Sequence, residues 1–184
     1  MKTLIFPLLL AASPAFASCP EAPDIADDLA VLIGQARAAE SDAAGGEVSG
    51  KMWQLWLMAP DSTAQELLDK GMQQRTSFDF LGAISSFDTL VEYCPEYAEG
   101  YNQRAFVHFL SGNYEMALLD LDRALVLSPD HVGAQSGRAL TLMNLGQKSA
   151  AREQLLAALE NNPWLSERFL LSDGGPLAVE IEEL

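Results

Sequence analysis

The stretch YNQRAFVHFLSGNYEMALLDLDRALVLSPD, residues 101–130, decides the fold of this chain. Each of its halves carries apolar side chains three and four positions apart, as the buried face of a helix requires. Gly112 lies between the halves, where a first helix must stop and the chain must turn back. Pro129 ends the second half, because proline cannot continue the hydrogen-bonded turns of a helix. The stretch therefore predicts a helical hairpin.

This hairpin recurs at a fixed period along the chain. Small, large and helix-ending residues each keep the same spacing from one unit to the next. The columns are Gly71, Ala105 and Ala139; Ala83, Ala117 and Ala151; Phe87, Leu121 and Leu155; Pro95, Pro129 and Pro163. Small residues allow close approach of neighbouring helices, and the larger column fills the space between hairpins. The sequence predicts three units, at 64–97, 98–131 and 132–165.

The order of aromatic, apolar, small and proline positions resembles the tetratricopeptide repeat, and residues 98–131 match it best. The resemblance implies an all-α fold, a right-handed superhelical solenoid of about three helical hairpins. The sequence departs from the family pattern at Lys70, Arg104 and Arg138, where the family usually has a large apolar residue. We expect Arg104 to pair with Asp120 or Asp122 on the second helix of its unit.

Both flanks of the repeats are also helical in pattern. Residues 18–63 predict an N-terminal helical segment, with helices at 24–40 and 47–58 and a break at Ala43-Ala44-Gly45-Gly46. Trp53 lies one period before Phe87, so this pair is a possible degenerate repeat. Residues 166–184 predict a capping helix and an acidic tail, because an uncovered end of a solenoid would be apolar.

The start of the chain, 1–17, has the layout of a secretory signal peptide. Lys2 precedes an apolar run from Leu4 to Ala12, and Ala15-Phe16-Ala17 is a small-x-small cleavage pattern. We expect an exported, periplasmic protein. A lipoprotein anchored at Cys19 is the alternative, although Phe16 fits a lipobox poorly. The run is about half the roughly 20 residues of a membrane-spanning helix, so no membrane span is expected.

The net charge and the cysteines limit the function further. The formal net charge of -15 would repel nucleic-acid phosphates, which excludes nucleic acid as a partner. Cys19 and Cys94 are the only cysteines. In an oxidising compartment such a pair favours a disulfide, and a metal site joining it to His108 and His131 is the weaker alternative because the four residues lack ligand spacing.

Catalytic and cofactor motifs are missing from the sequence. We find no nucleophile with a neighbouring base, no metal cluster and no phosphate loop, so the sequence predicts no enzyme, no cofactor and no catalytic residue. The family resemblance instead implies a concave peptide-binding groove lined by the first helix of each unit. The residues at its positions are Gln65, Leu68, Met72, Arg75, Asn102, Phe106, Phe109, Ser136, Leu140 and Met143.

One use of the family fold can be tested on these positions. The clamp that grips the C-terminal carboxylates of chaperones needs Lys and Asn at set places, where this chain has Leu68, Met72, Gly133 and Gly137. Such a clamp is therefore not expected.

Three functional hypotheses follow. The first is a non-enzymatic interaction module that holds a peptide segment or a partner protein in the groove. The second is a structural or oligomerising subunit without a peptide ligand, in which residues 24–58 would fill the groove. The third, a redox protein using Cys19 and Cys94, is disfavoured because no basic residue next to Cys94 would lower the pKa of its thiol.

Overall fold

A computed structural model describes residues 18–178; the predicted signal peptide and most of the predicted acidic tail lie outside the described residues. The described chain is all-α. Its helices are α1 (Ala26–Ala38), α2 (Asp42–Trp56), α3 (Ser62–Thr76), α4 (Phe80–Tyr93), α5 (Ala98–Leu110), α6 (Tyr114–Leu127), α7 (Val132–Asn144), α8 (Lys148–Asn161) and a 3-10 helix (Ser166–Leu171). Within residues 18–178, no helix has both the length and the apolar character to cross a membrane.

Three antiparallel hairpins form the solenoid: α3 with α4, α5 with α6 and α7 with α8. The small residues of the repeat columns lie at the helix contacts, and Ala83, Ala117 and Ala151 are completely buried. Gly71 shows why the column must be small, because a Cβ atom there would lie 2.4 Å from the ring of Phe87. The packing of the helices therefore requires small residues at these periodic positions.

The unusual arginines of the sequence join neighbouring helices. Arg104 on α5 forms two hydrogen bonds with Asp120, at 2.8 and 2.6 Å, and a third with Asp88 at 2.8 Å. The hydrogen bonds to Asp120 raise the pKa of Arg104 above its usual value. Arg138 repeats the arrangement one unit later with Asp122, at 2.7 Å. Asp120, one of the two expected partners of Arg104, is the one that binds it.

The break between the first two helices lies earlier than the sequence suggested. Ser41 caps α2 by accepting a hydrogen bond from the amide of Ala44, so the predicted break is part of the helix. Gly45 has a packing role there. A Cβ atom at Gly45 would lie 2.1 Å from the indole of Trp164, so the glycine admits that ring against α2.

The hairpin of α1 and α2 does not extend the solenoid as a further repeat. An additional repeat would pack against α3, whereas α1 packs against α8 at the opposite end. Arg37 donates to the carbonyl oxygen of Glu160 at 2.6 Å, and the indole of Trp164 donates to that of Ala36 at 3.0 Å. The hairpin therefore crosses the concave side of the solenoid.

The C-terminal segment covers the last repeat. Leu170, Leu171 and Leu177 pack against a core of α7 and α8, and Leu177 is only 2% exposed. The capping element is a 3-10 helix. Arg168 in this helix binds Asp42 at 2.5 Å, which joins the cap to the N-terminal hairpin.

A disulfide joins Cys19 to Cys94 at the end of α4. Cys94 is 1% exposed and belongs to the core of the first repeat. The bond fixes the segment before α1 to the solenoid. The two sulfur atoms are bonded to each other, so they cannot serve as ligands of the alternative metal site.

Phe78, between α3 and α4, has a backbone conformation that disfavours a side chain. Its φ of 62° lies in the left-handed region, and Gly112 and Gly146 occupy the equivalent positions of the next units at 75° and 76°. The Phe78 side chain is 82% exposed, so packing does not compensate for this strain.

We therefore expect Phe78→Gly to stabilise the protein. Relief of the left-handed strain contributes roughly 1–2 kcal/mol, and the greater freedom of glycine in the unfolded chain removes part of it. Urea unfolding followed by circular dichroism should show a net gain of about 1 kcal/mol. A lower midpoint than that of the wild type would contradict this account, and Gly112→Phe should lower the midpoint.

Candidate binding groove

A cavity of about 520 Å³ opens on the concave side of the solenoid. Its walls come from α2, α3, α5, α7 and the segment after α8, with Leu121 of α6 at its base. Its size lies within the range of pockets that hold small ligands or a few peptide side chains. Most of its lining side chains are apolar, so it suits an apolar guest.

The structure brings most of the sequence-predicted groove residues to this cavity. They are Met72, Arg75, Asn102, Phe106, Phe109, Ser136 and Leu140. Leu68 and Met143 do not line it. Leu68 is completely buried in the core of the first repeat, and Met143 packs on the core of the third. Gln65 instead holds the start of α3, where it accepts a hydrogen bond from the amide of Ala59 at 3.2 Å.

One wall of the cavity comes from residues 24–58, which the sequence placed in the groove only under the structural-subunit hypothesis. Trp53 and Trp56 of α2 line it, and they come from the hairpin that crosses the groove. Gly133 makes room for this wall, because a Cβ atom there would lie 2.7 Å from the ring of Trp53. Gly133, at one of the positions that the chaperone clamp would use, is thus covered by an aromatic ring.

Arg75 is the cation of the cavity. Its guanidinium lies 4.8 Å from the centre of the Phe106 ring and donates a hydrogen bond to Gln103 Oε1. Burial lowers its pKa, and the charge of nearby Glu99 partly opposes that shift. No carboxylate of the described residues lies within ion-pair distance of Arg75. The cavity therefore combines mostly apolar walls with the half-buried positive charge of Arg75 and, from the segment after α8, the carboxylate of Glu167.

A buried polar network lies behind the wall that Trp53 and Trp56 form. Glu99 is 1% exposed and accepts hydrogen bonds from Asn102 at 3.0 Å and from Gln103 at 2.5 Å. His131 Nδ1 accepts from the amide of Ala134 at 3.1 Å and so caps α7, which leaves the ring proton on Nε2. That proton is donated to Glu99 Oε2 at 2.7 Å.

Trp56 covers the same network from the hairpin side. Its ring stacks on His131 with centroids 4.1 Å apart and planes 11° apart. The hydroxyl of Tyr97 donates to the carbonyl oxygen of Trp56 at 2.7 Å. His131 is therefore a structural residue that joins α5, α7 and the hairpin, although its position in a proline turn gave no sign of this.

The second histidine has a different environment. His108 faces the buried side of α5, and desolvation is the main cause of its lowered pKa. Its Nδ1 atom is buried without a hydrogen-bond partner among the described residues. Neither histidine shares a cluster of three or more potential metal ligands within residues 18–178.

These features define a class of protein: a helical-repeat scaffold whose concave face carries an apolar cleft. The family model of the tetratricopeptide repeat matches residues 98–131. Residues 98–131 are therefore one tetratricopeptide repeat.

Two curated relatives share part of the chain. A TPR repeat-containing protein of Rhizobium etli is 35% identical over 78 residues, which are 42% of this chain and 37% of the relative. The tetratricopeptide repeat protein 36 homolog of Nematostella vectensis is 36% identical over 76 residues, 41% of each chain. The chain thus spans about two fifths of the length of these relatives.

Solved structures show the same fold. The TPR2B domain of yeast Sti1, in a complex with pHsp70, superposes with a TM-score of 0.54 at 25% identity over 55% of this chain and 81% of that domain. The first TPR of Spaghetti (RPAP3), bound to the HSP90 peptide SRMEEVD, has a TM-score of 0.57 at 23% identity, over 58% and 86% of the two chains. Each match covers little more than half of this chain, so the likeness concerns only part of its helices.

Proposed function

We propose that this protein is a non-enzymatic interaction module that holds a short peptide segment of a partner protein in its concave cavity. The observation that carries the proposal is the cavity of about 520 Å³ between Trp53, Met72, Phe106 and Leu140. Aromatic and methionine side chains provide adaptable contacts for apolar residues of a peptide. The complex of the yeast Sti1 domain with pHsp70 supports the use of this fold as an interaction module.

The N-terminal hairpin restricts what can bind. Because α2 forms one wall, the free cleft is shorter than a groove that runs along three repeats. An extended peptide would place only a few side chains in it. We infer that the partner is recognised by two or three apolar anchors, since few interface residues usually provide most of the binding energy.

We further propose that the protein acts in the periplasm. The signal-type leader at 1–17 and the Cys19–Cys94 disulfide support this location, because disulfides persist in oxidising compartments. Cell fractionation followed by intact-mass measurement tests it. A cytoplasmic protein with both thiols free would overturn the proposal.

The groove is tested by removing two of its aromatic anchors. We expect Phe106→Ala with Phe109→Ala to weaken partner binding about 100-fold, since each truncated anchor costs roughly 1–2 kcal/mol. The measurement is recovery of a partner from the envelope fraction by tagged protein, followed by titration of the purified partner. Phe169→Ala is the matched control, because Phe169 is 64% exposed and does not line the cavity.

The alternative is a structural subunit without a peptide ligand, and the hairpin that crosses the groove favours it. Under this alternative, partner recovery would be the same for the wild type, the Phe106→Ala, Phe109→Ala variant and the Phe169→Ala control. A partner retained by the wild type and the control but lost by the folded double variant would instead establish the groove as the binding site.

A further inference from the structure

Arg75 lines the cavity without a counter-ion among residues 18–178. Four other arginines each bind a carboxylate at 2.9 Å or less: Arg104, Arg123, Arg138 and Arg168. A guanidinium carries five N–H donors, and one nitrogen of Arg75 donates to a neighbouring glutamine. None of its nitrogens is both buried and unpaired, so the other donors are open to a molecule in the cavity.

Neighbouring side chains fix the position of the Arg75 guanidinium. The ring of Phe106 lies 4.8 Å from it. Gln103, which accepts the hydrogen bond from Arg75, donates in turn to Glu99 at 2.5 Å. Glu99 is 1% exposed, so a molecule in the cavity does not displace this support. A cation that is fixed before binding loses little conformational freedom when a ligand arrives.

The surroundings of Arg75 favour a carboxylate as its ligand. Burial lowers the pKa of Arg75, because apolar surroundings disfavour the charged form. A carboxylate in contact with the guanidinium offsets that cost, and the planar guanidinium can bind both carboxylate oxygens with parallel hydrogen bonds. Such charge-assisted hydrogen bonds are stronger in a partly dry cavity than in open water.

The charges of the cavity disfavour a phosphate group at the same place. A phosphate carries a charge of about -1.5 to -2 at neutral pH, whereas Arg75 supplies a single positive charge. Glu167 adds a negative charge on the segment after α8, and no ion pair joins it to Arg75. The net charge of -15 also repels highly charged anions. A guest with one carboxylate among apolar groups therefore matches the cavity.

We propose that Arg75 binds a carboxylate of the partner's peptide segment, and that apolar residues next to this carboxylate contact the walls formed by Trp53, Phe106 and Leu140. This inference rests on the peptide-binding function proposed above and adds the chemistry of the ligand. The contact differs from the chaperone clamp, because none of the clamp positions considered above has a polar side chain in this chain. Arg75 thus selects segments that combine an acidic group with apolar residues.

Selection of displayed peptides on the mature protein tests the proposal. Two libraries of short random peptides are used, one with the peptides inside a longer chain and one with free C-termini. From the first library we expect enrichment of apolar residues beside Asp or Glu. Enrichment of apolar residues at a free C-terminus, in the second library alone, would identify a terminal carboxylate as the bound group. The two libraries thus distinguish the two sources of the carboxylate.

Titration of the most enriched peptide then measures the contribution of Arg75. Fluorescence anisotropy compares this peptide with a counterpart in which the carboxylate is replaced by an amide. We expect Arg75→Gln to weaken binding of the acidic peptide about tenfold and to change binding of the amide peptide by less than about twofold. Arg75→Lys keeps the charge without the planar fork, so its affinity for the acidic peptide should lie between those of the wild type and Arg75→Gln.

Lys70→Gln is the matched control, because Lys70 is an exposed residue of the same helix and does not line the cavity. It removes the same charge and should bind both peptides as the wild type does, and circular dichroism should show all variants folded. Apolar peptides enriched without an acidic group, or an equal loss in Lys70→Gln, would overturn this inference and leave the proposed function standing. Enrichment of no peptide from either library would overturn both.

Discussion

Replacement of both cysteines, Cys19→Ala with Cys94→Ala, should lower the free energy of unfolding by about 4 kcal/mol. The bond closes a loop across a sequence separation of 75 residues, and a cross-link of that span removes much of the conformational entropy of the unfolded chain. For a domain of this size the loss corresponds to a fall of roughly 10 °C in the midpoint of thermal unfolding. Thermal unfolding followed by circular dichroism measures it.

Reduction of the wild type separates the bond from the substitutions. The reduced wild type should unfold close to the double variant, because both lack the cross-link. Alanine is used at position 94 because Cys94 is buried in an apolar core, where a serine hydroxyl would add a cost of its own. If oxidised and reduced wild type unfolded at the same temperature, the disulfide would contribute nothing to stability.

The repeats could be predicted from the sequence because their contacts are local. The two helices of each hairpin lie within one period of the chain, so every contact between them imposes a residue type at a fixed spacing. Gly71 beneath Phe87 is such a contact, and Arg104 with Asp120 is another. Three copies of each position then made the pattern visible without an alignment.

The wall of the candidate groove could not be predicted in this way. Arg37 binds Glu160 across a sequence separation of 123 residues, and Trp164 reaches Ala36 across 128. These contacts occur once, so no periodic pattern records them. Gly45 was interpreted as part of a break because glycine disfavours helices, and only the position of Trp164 explains why a glycine stands inside α2.

The boundary between groove and core was also beyond the sequence. Leu68 and Met72 are one helical turn apart on α3 and equally apolar, yet Leu68 is completely buried whereas Met72 lines the cavity. The periodic pattern locates the buried face of a helix to within about one residue position. That precision does not decide whether a residue at the boundary, such as Leu68 or Met72, lies in the core or in the groove. Seven of the ten predicted groove residues therefore line the cavity, whereas Leu68 and Met143 pack in the cores of the first and third repeats and Gln65 holds the start of α3.

The link between the hairpin and the solenoid depends on His131, and His131→Ala should lower the free energy of unfolding by about 3–5 kcal/mol. The substitution removes the cap of α7 and the ring that stacks on Trp56. It also leaves Glu99, which is 1% exposed, without one of its three hydrogen-bond donors. A buried carboxylate that loses a partner keeps the cost of its desolvation. The lost hydrogen bond to Glu99 therefore contributes more than the lost helix cap or the lost stacking on Trp56.

A double-mutant cycle distinguishes the cost of the unpaired Glu99 carboxylate from the loss of packing around His131. Glu99→Leu combined with His131→Leu removes both polar groups, and the pair should be destabilised by less than the sum of the two single variants. Urea unfolding at neutral pH provides the four free energies, and tryptophan fluorescence, to which Trp53, Trp56 and Trp164 contribute, reports whether the hairpin remains docked. Strictly additive losses would show that Glu99 and His131 act independently. A coupling of about 1–3 kcal/mol would establish the pair as the link through which the solenoid holds α2, and with it one wall of the groove, in place.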